Sequence, residues 1–147
     1  MQKWILALAL AVLAGGAAAA QQTDDFGGRL LSFEESASPL SAGRGSKLST
    51  SGEHYKHGLR SARWEWSREG AQIVLRRPIG YLAENPNPKE TSVSTFVFWL
   101  YAPQAVGGEL RFEFRKQGRT CARFDYGLGF TGWRGAWVAF DRDMEGT

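Results

Sequence analysis

The sequence has a single cysteine, so no disulfide can form within the chain. It has only two histidines, His54 and His57, and neither has cysteine or acidic partners at the spacing of a metal site. No serine-nucleophile elbow, phosphate loop or zinc-helix motif occurs, and no segment shows a sustained helical period. These absences argue against a self-contained enzyme with a familiar catalytic motif, and against a helical fold.

The chain also has little net charge. Lysine and arginine number 18 against 15 aspartates and glutamates, which gives a formal net charge of +3. The arginines are spread along predicted strands rather than gathered in a tract, so nucleic acid is not an expected partner.

The first twenty residues have the layout of a secretory signal peptide. Lys3 precedes an apolar run from Trp4 to Ala14, and small residues lead to Ala18 and Ala20. A membrane anchor is the alternative, but the strongly apolar stretch is shorter than the ~20 residues that a spanning helix needs. We therefore predict a signal peptide over 1–20, a flexible lead-in over 21–28, and a bacterial protein exported to the periplasm or beyond with no membrane anchor after cleavage.

The rest of the chain alternates apolar and polar residues with a period of two, which is typical of half-buried strands. The clearest runs are Ala62–Trp66, Leu110–Phe114 and Ala122–Tyr126. The segment Phe96–Tyr101 is apolar on both faces and is predicted to be a central strand. Further strands are predicted at 29–34, 46–50, 71–76 and 134–141. Short strands separated by turn residues predict one all-β domain over 29–147, an antiparallel β-sandwich or jelly roll.

Two segments without strand character also have an interpretation. Prolines at 78, 86 and 88 predict a long loop over 77–92, which is either a binding element or a mere connection. Gly127–Gly132 matches the glycine spacing of dinucleotide-binding proteins, but no helix-forming sequence follows it. We interpret these glycines as a turn between two strands.

Candidate binding residues are few. Trp133 follows the glycine turn beside Arg134 and is the tryptophan most readily placed at the surface, whereas Trp64, Trp66 and Trp99 are assigned to the core. Arg123 alternates outward on its strand, so Trp133, Arg134 and Arg123 form a predicted carbohydrate site. Asp141, Asp143 and Glu145 occupy alternate positions. Together with Glu34, Asp141 and Asp143 are the candidate ligands of a structural calcium ion, although a solvated strand end is the simpler interpretation. No other cofactor is expected.

Several motifs in order resemble one known family. These are Leu31–Glu34, Lys47–Ser49, His54–Gly58, Ser61–Trp66, Phe98–Tyr101 and Gly132–Gly146. They resemble the N-terminal domain of the chondroitin sulfate ABC lyase family. The resemblance implies a jelly-roll sandwich, similar to galactose-binding domains, placed ahead of a large helical toroid that carries the β-elimination chemistry. His54 and Tyr55 match the pattern of the N-terminal domain, so the resemblance implies no catalytic residue in this chain.

Three hypotheses follow. The first is a non-catalytic jelly-roll domain of an exported glycosaminoglycan lyase, which supports the catalytic toroid of the same parent chain or recruits anionic polysaccharide. The second is a stand-alone carbohydrate-binding protein. The third is a purely structural interaction domain.

Overall fold

The computed structural model describes residues 33–34, 36–37, 40–76 and 95–146, together with the backbone of residues 6–11. This part of the chain contains nine strands and no helix. The strands are β1 (Leu6–Ala11), β2 (Leu40–Ala42), β3 (Ser46–Ser51), β4 (Ser61–Trp66), β5 (Ile73–Leu75), β6 (Thr95–Ala102), β7 (Glu109–Lys116), β8 (Arg119–Gly127) and β9 (Gly132–Ala139). The predicted all-β class is confirmed.

Five strands form the main sheet, in the order β3-β4-β1-β6-β9, and every neighbouring pair is antiparallel. Because successive side chains point to opposite faces of a strand, each strand supplies one row to each side of the sheet. On one side lie Phe98 and Leu100 of β6, both fully buried, with Trp64 of β4. This inner face is the floor of the core, and β6 lies inside the sheet as predicted.

The hairpin β7–β8 covers the inner face. Its strands are joined by Gln117 and Gly118, which both have positive φ, as in the primed turns that suit the twist of a hairpin. The rings of Phe112 and Phe124 stack across the hairpin at 4.6 Å, and Phe112 also lies 4.7 Å from the ring of Phe98. The hairpin and the main sheet thus bury their apolar faces against each other, which is the layered arrangement of an antiparallel β-sandwich.

The core is closed at its margins by residues outside the strands, namely Phe33, Leu128, Phe130, Phe140 and Met144. The buried apolar members of the whole core are Phe33, Ala62, Trp64, Phe96, Phe98, Leu100, Ala102, Ala122, Leu128, Phe130, Val138, Phe140 and Met144.

The segment after β9 is joined to the hairpin, because Arg123 and Glu145 exchange two backbone hydrogen bonds of 3.0 and 2.9 Å. A bulge at Cys121 lets its thiol donate to the carbonyl of Phe114 at 3.1 Å.

Most predicted strands are found, with altered ends. Those at 46–50, 71–76 and 134–141 correspond to β3, β5 and β9. Residues 128–131 connect β8 to β9, so the interpretation of the glycine motif as a turn between strands is confirmed. Of the strand predicted at 29–34, only Phe33 and Glu34 are described, and neither is in a strand. The lead-in at 21–28 and the proline-rich loop at 77–92 lie outside the described residues.

The strand β1 belongs to the predicted signal peptide. It pairs with β4 through Leu8 opposite Ala62, and with β6 through Leu10 opposite Phe98. Cleavage after Ala20 stays a prediction. Among the described residues, no helix has the length and apolar character that crossing a membrane requires.

Candidate functional site

The predicted carbohydrate residues lie on different surfaces. Trp133 and Arg134 are neighbours on β9 and therefore point to opposite faces of the main sheet. The guanidinium of Arg134 lies 4.9 Å above the ring of the buried Phe130, on the inner side. Arg123 lies on the hairpin and forms a salt bridge of 2.8 Å with Glu145. The structure thus does not bring the three together, and carbohydrate binding by them stays a prediction.

Trp133 belongs instead to an aromatic row on the outer face of the main sheet. It is directly opposite Tyr101 of β6, and their rings lie 5.4 Å apart. Trp99 of β6 is opposite Gly135 and makes an edge contact of 5.6 Å with Trp137. We call Trp99, Tyr101, Trp133 and Trp137 the aromatic face. It lies on the side of β6 away from the core.

Gly135 makes this packing possible. It lies between Trp133 and Trp137 on the same face of β9, and a Cβ built on it would be 2.8 Å from Cε3 of Trp99. The indole of Trp99 therefore lies across bare backbone, in the gap between the two other indoles. Any larger residue at 135 would displace this ring.

The loop between β3 and β4 adds polar groups to the aromatic face. The imidazole of His54 stacks on Tyr101 with ring centroids 3.6 Å apart, and the hydroxyl of Ser61 donates to the carbonyl of His54 at 2.5 Å. The ammonium of Lys56 lies 4.4 Å from the ring centre of Trp99 and 5.6 Å from that of Trp133. An ammonium over an indole is attracted by the negative ring face. The loop that carries the two histidines thus places one cation over the indoles.

Two assignments of tryptophans from the sequence are wrong. Trp99 was predicted to be core, but it is only half-buried and lies on the outer face, because it alternates with the core residues Phe98 and Leu100. Trp133 was predicted to be the most exposed tryptophan, yet that position belongs to Trp137, which is 55% exposed, while Trp133 is half-buried. The assignments of Trp64 and Trp66 to the core are confirmed.

The arginines of the hairpin are mostly neutralised. Arg111 makes two hydrogen bonds of 2.8 Å to the carboxylate of Asp125 across the strands. This bidentate hydrogen bond, together with the charge of Arg111, lowers the pKa of Asp125 below its usual range. Arg115 forms an ion pair with Glu113 on its own strand. The row of outward arginines that the sequence shows is therefore largely paired with acids.

The candidate calcium ligands are also engaged. The carboxylate of Glu34 accepts hydrogen bonds from the amides of Leu59 and Arg60, at 2.9 and 3.1 Å. Asp143 accepts from the guanidinium of Arg142 and from the amide of Ala139, and these hydrogen bonds lower its pKa to about 2.

The prediction that Asp141, Asp143 and Glu145 alternate along one strand is wrong. The strand β9 ends at Ala139, and residues 140–143 form a turn, so Asp141, Asp143 and Glu145 do not alternate along one strand. Within the described ranges, no three histidine, cysteine, aspartate or glutamate side chains gather as metal ligands. The calcium site stays a prediction.

Comparisons with known proteins match this architecture to one family. The model of the lyase N-terminal family matches residues 27–147. A chondroitin sulfate ABC exolyase of Bacteroides thetaiotaomicron is 41% identical over 120 residues, which are 81% of this chain and 12% of that protein. An exolyase of the same name from Proteus vulgaris is 31% identical over 83% of this chain and 12% of its own length.

A chondroitin sulfate ABC endolyase of Proteus vulgaris is 27% identical over 72% of this chain and 11% of its own length. The chain thus spans about an eighth of the length of the curated relatives it matches. The resemblance of the sequence motifs is confirmed over nearly the whole region downstream of the predicted leader. The chain belongs to the lyase N-terminal domain family.

Proposed function

We propose that this chain is the non-catalytic N-terminal domain of an exported lyase of chondroitin or dermatan sulfate, and that it supports a catalytic domain of the same parent chain. The observation that carries the proposal is the family match over 27–147, to relatives named as chondroitin sulfate ABC lyases that are several times longer. A domain that is about an eighth of such a protein leaves ample chain for a separate catalytic domain.

The chemistry of elimination supports this division of labour. Removing the ring proton of a uronic acid requires a base, a group that neutralises the carboxylate, and an acid for the leaving oxygen. In the described part of the chain, His54 is stacked on Tyr101, and the carboxylates of Asp125 and Glu145 are paired with arginines. These groups are used for packing and pairing rather than assembled around a groove.

Two measurements test the proposal. The purified chain from Gln21 to Thr147 is expected to form no unsaturated uronate from chondroitin sulfate, in a preparation free of host lyases. The reading frame is expected to continue beyond the Thr147 codon into a long helical region. Cleavage by the purified chain would contradict the non-catalytic assignment, and a stop codon would favour a stand-alone carbohydrate-binding protein.

Export gives a further prediction. We expect the exported protein to begin at Gln21 and to keep its fold without β1, because the family match begins only at residue 27. Removing β1 frees one edge each of β4 and β6, so another segment must pair there. The strand predicted at 29–34 is the candidate, since the carboxylate of Glu34 already binds the amides directly before β4.

Mass spectrometry of the exported protein and hydrogen exchange of residues 21–147 measure these two expectations. Amides of β4 and β6 should be protected in the processed chain. Export of a protein that retains Met1 would remove the leader proposal. Exchange of the β6 amides at the rate of an unfolded chain would show that β1 is needed for the fold.

Recruitment of anionic polysaccharide is a second candidate function. It is favoured by the exposed indole of Trp137 on the same face as the ammonium of Lys56.

A further inference from the structure

The aromatic face combines stacking surface with a positive charge that has no acidic partner among the residues the structure describes. Lys56 is exposed, and none of the ion pairs within the described residues includes it. Two further cations on the outer side of the main sheet are paired with acids: Arg63 with Glu65 at 2.9 Å and with Glu53 at 3.8 Å, and Lys47 with Glu65 at 3.9 Å. Within the described ranges, Lys56 is thus the cation on this side that is not paired with an acid, whereas Arg63 and Lys47 are.

The ammonium of Lys56 lies over the apolar surface of the indoles of Trp99 and Trp133. Trp133 and Trp137 lie four residues apart on β9, which separates their Cα atoms by roughly 13 Å in an extended strand. Trp99 lies between them, and Lys56 lies above Trp99. A ligand along β9 would thus meet the exposed ring of Trp137 first and the ammonium next.

We infer that the aromatic face binds an acidic sugar, whose apolar C–H face stacks on Trp137 while its carboxylate or sulfate pairs with Lys56. The inference names the ligand class of the proposed recruitment function and rests on it, but not on catalysis. Flat amphipathic rings suit a sugar, which has an apolar face and polar edges. The buried centre of a protein interface is usually depleted in lysine, so the ammonium of Lys56, which pairs with no acid of the described residues, favours an anionic ligand over a docked protein.

Gly135 also contributes to the aromatic face. It allows Trp99 to lie close to the backbone of β9, with the ammonium of Lys56 4.4 Å from the ring centre. Gly135 thus contributes to the aromatic face through its lack of a side chain.

Titration of the chain from Gln21 to Thr147 with a chondroitin sulfate hexasaccharide tests the inference, monitored by the indole N–H signals in NMR spectra. Binding should perturb the Trp137 and Trp99 signals at low salt and weaken at physiological salt, where the screening length falls to about 8 Å. Trp137→Ala is expected to weaken binding about tenfold, as for a central aromatic contact, and Trp137→Phe to retain most of it.

Matched charge variants separate a site from general attraction. Lys56→Gln should weaken binding and flatten its salt dependence, whereas Lys56→Arg should preserve both. Lys116→Gln removes another exposed lysine, from the hairpin, and should have little effect. Uncharged chitohexaose should bind more weakly than the acidic hexasaccharide.

Three results would overturn the inference. They are an absence of binding at low salt, equal losses for Lys56→Gln and Lys116→Gln, and equal affinity for the neutral and acidic oligosaccharides. The test uses binding alone, so it can fail while the chain still proves to be the N-terminal part of a lyase. Conversely, binding by a chain whose reading frame stops at Thr147 would support this site and refute the parent lyase.

Discussion

Replacing Phe98 with alanine is expected to lower the free energy of unfolding of the domain by about 3–5 kcal/mol, the usual cost of removing a buried phenylalanine. Phe98 is 0% exposed. Its ring lies 4.7 Å from Phe112 and 5.0 Å from Tyr126, so it joins the main sheet to the hairpin. Loss of this ring leaves a cavity between two layers that cannot collapse without moving a whole hairpin.

Urea denaturation monitored by circular dichroism measures this effect. Leu59→Ala is the matched control, because Leu59 is an apolar residue that is 69% exposed, and its truncation should change the free energy of unfolding by no more than about 0.5 kcal/mol. Similar losses in the two variants would show that Phe98 does not join the layers of a common core.

Gly58→Ala is expected to lower the free energy of unfolding by about 2–3 kcal/mol, from backbone strain and the loss of hydrogen bonds to a charged group. Gly58 has a φ of 67°, which an L residue adopts at a cost. A Cβ there would also collide with the carboxylate of Glu34. That carboxylate must then leave the amides of Leu59 and Arg60, to which it is bound.

Gly70→Ala isolates the backbone term. Gly70 has a φ of 71°, but no atom of the described residues lies within 4 Å of the point where a methyl group would stand. Gly70→Ala should therefore lower the free energy of unfolding only by the backbone strain, about 1–2 kcal/mol. In a double-mutant cycle, Gly58→Ala should cost less in a Glu34→Ala background, because the displaced carboxylate is already absent. Equal losses for the two glycine variants, with full additivity at 34 and 58, would contradict the role given to Glu34.

Part of the candidate site could be predicted from local sequence. Another part was also indicated by local sequence but was interpreted wrongly. The alternation along β9 already separates Trp133 from Arg134, since adjacent residues of a strand face opposite sides. Grouping them by adjacency was an error of interpretation. The same alternation along Phe98, Trp99 and Leu100 indicates that Trp99 cannot share the face of its neighbours, although it does not say which face is the core.

Other parts of the site depend on contacts between distant residues. Lys56 meets Trp99 and Trp133 only because the loop after β3 folds over the strands β6 and β9. No local pattern marks this lysine, and its neighbour His57 is equally polar. Likewise, the expected alternation of Asp141 and Asp143 required β9 to continue, whereas Asp143 binds the amide of Ala139 and the chain turns there.

The sequence by itself determined the all-β class, the inner rows of β4, β7 and β8 and the family, because the period of two and the ordered motifs are local properties of the chain. Only the tertiary structure decided which tryptophan is exposed, which arginines are neutralised and which lysine lies over the indoles. Those properties depend on the order and register of strands far apart in sequence, as when Gly135 comes opposite Trp99. Pairing of this kind is selected by the packing of the whole sheet, so no single segment encodes it.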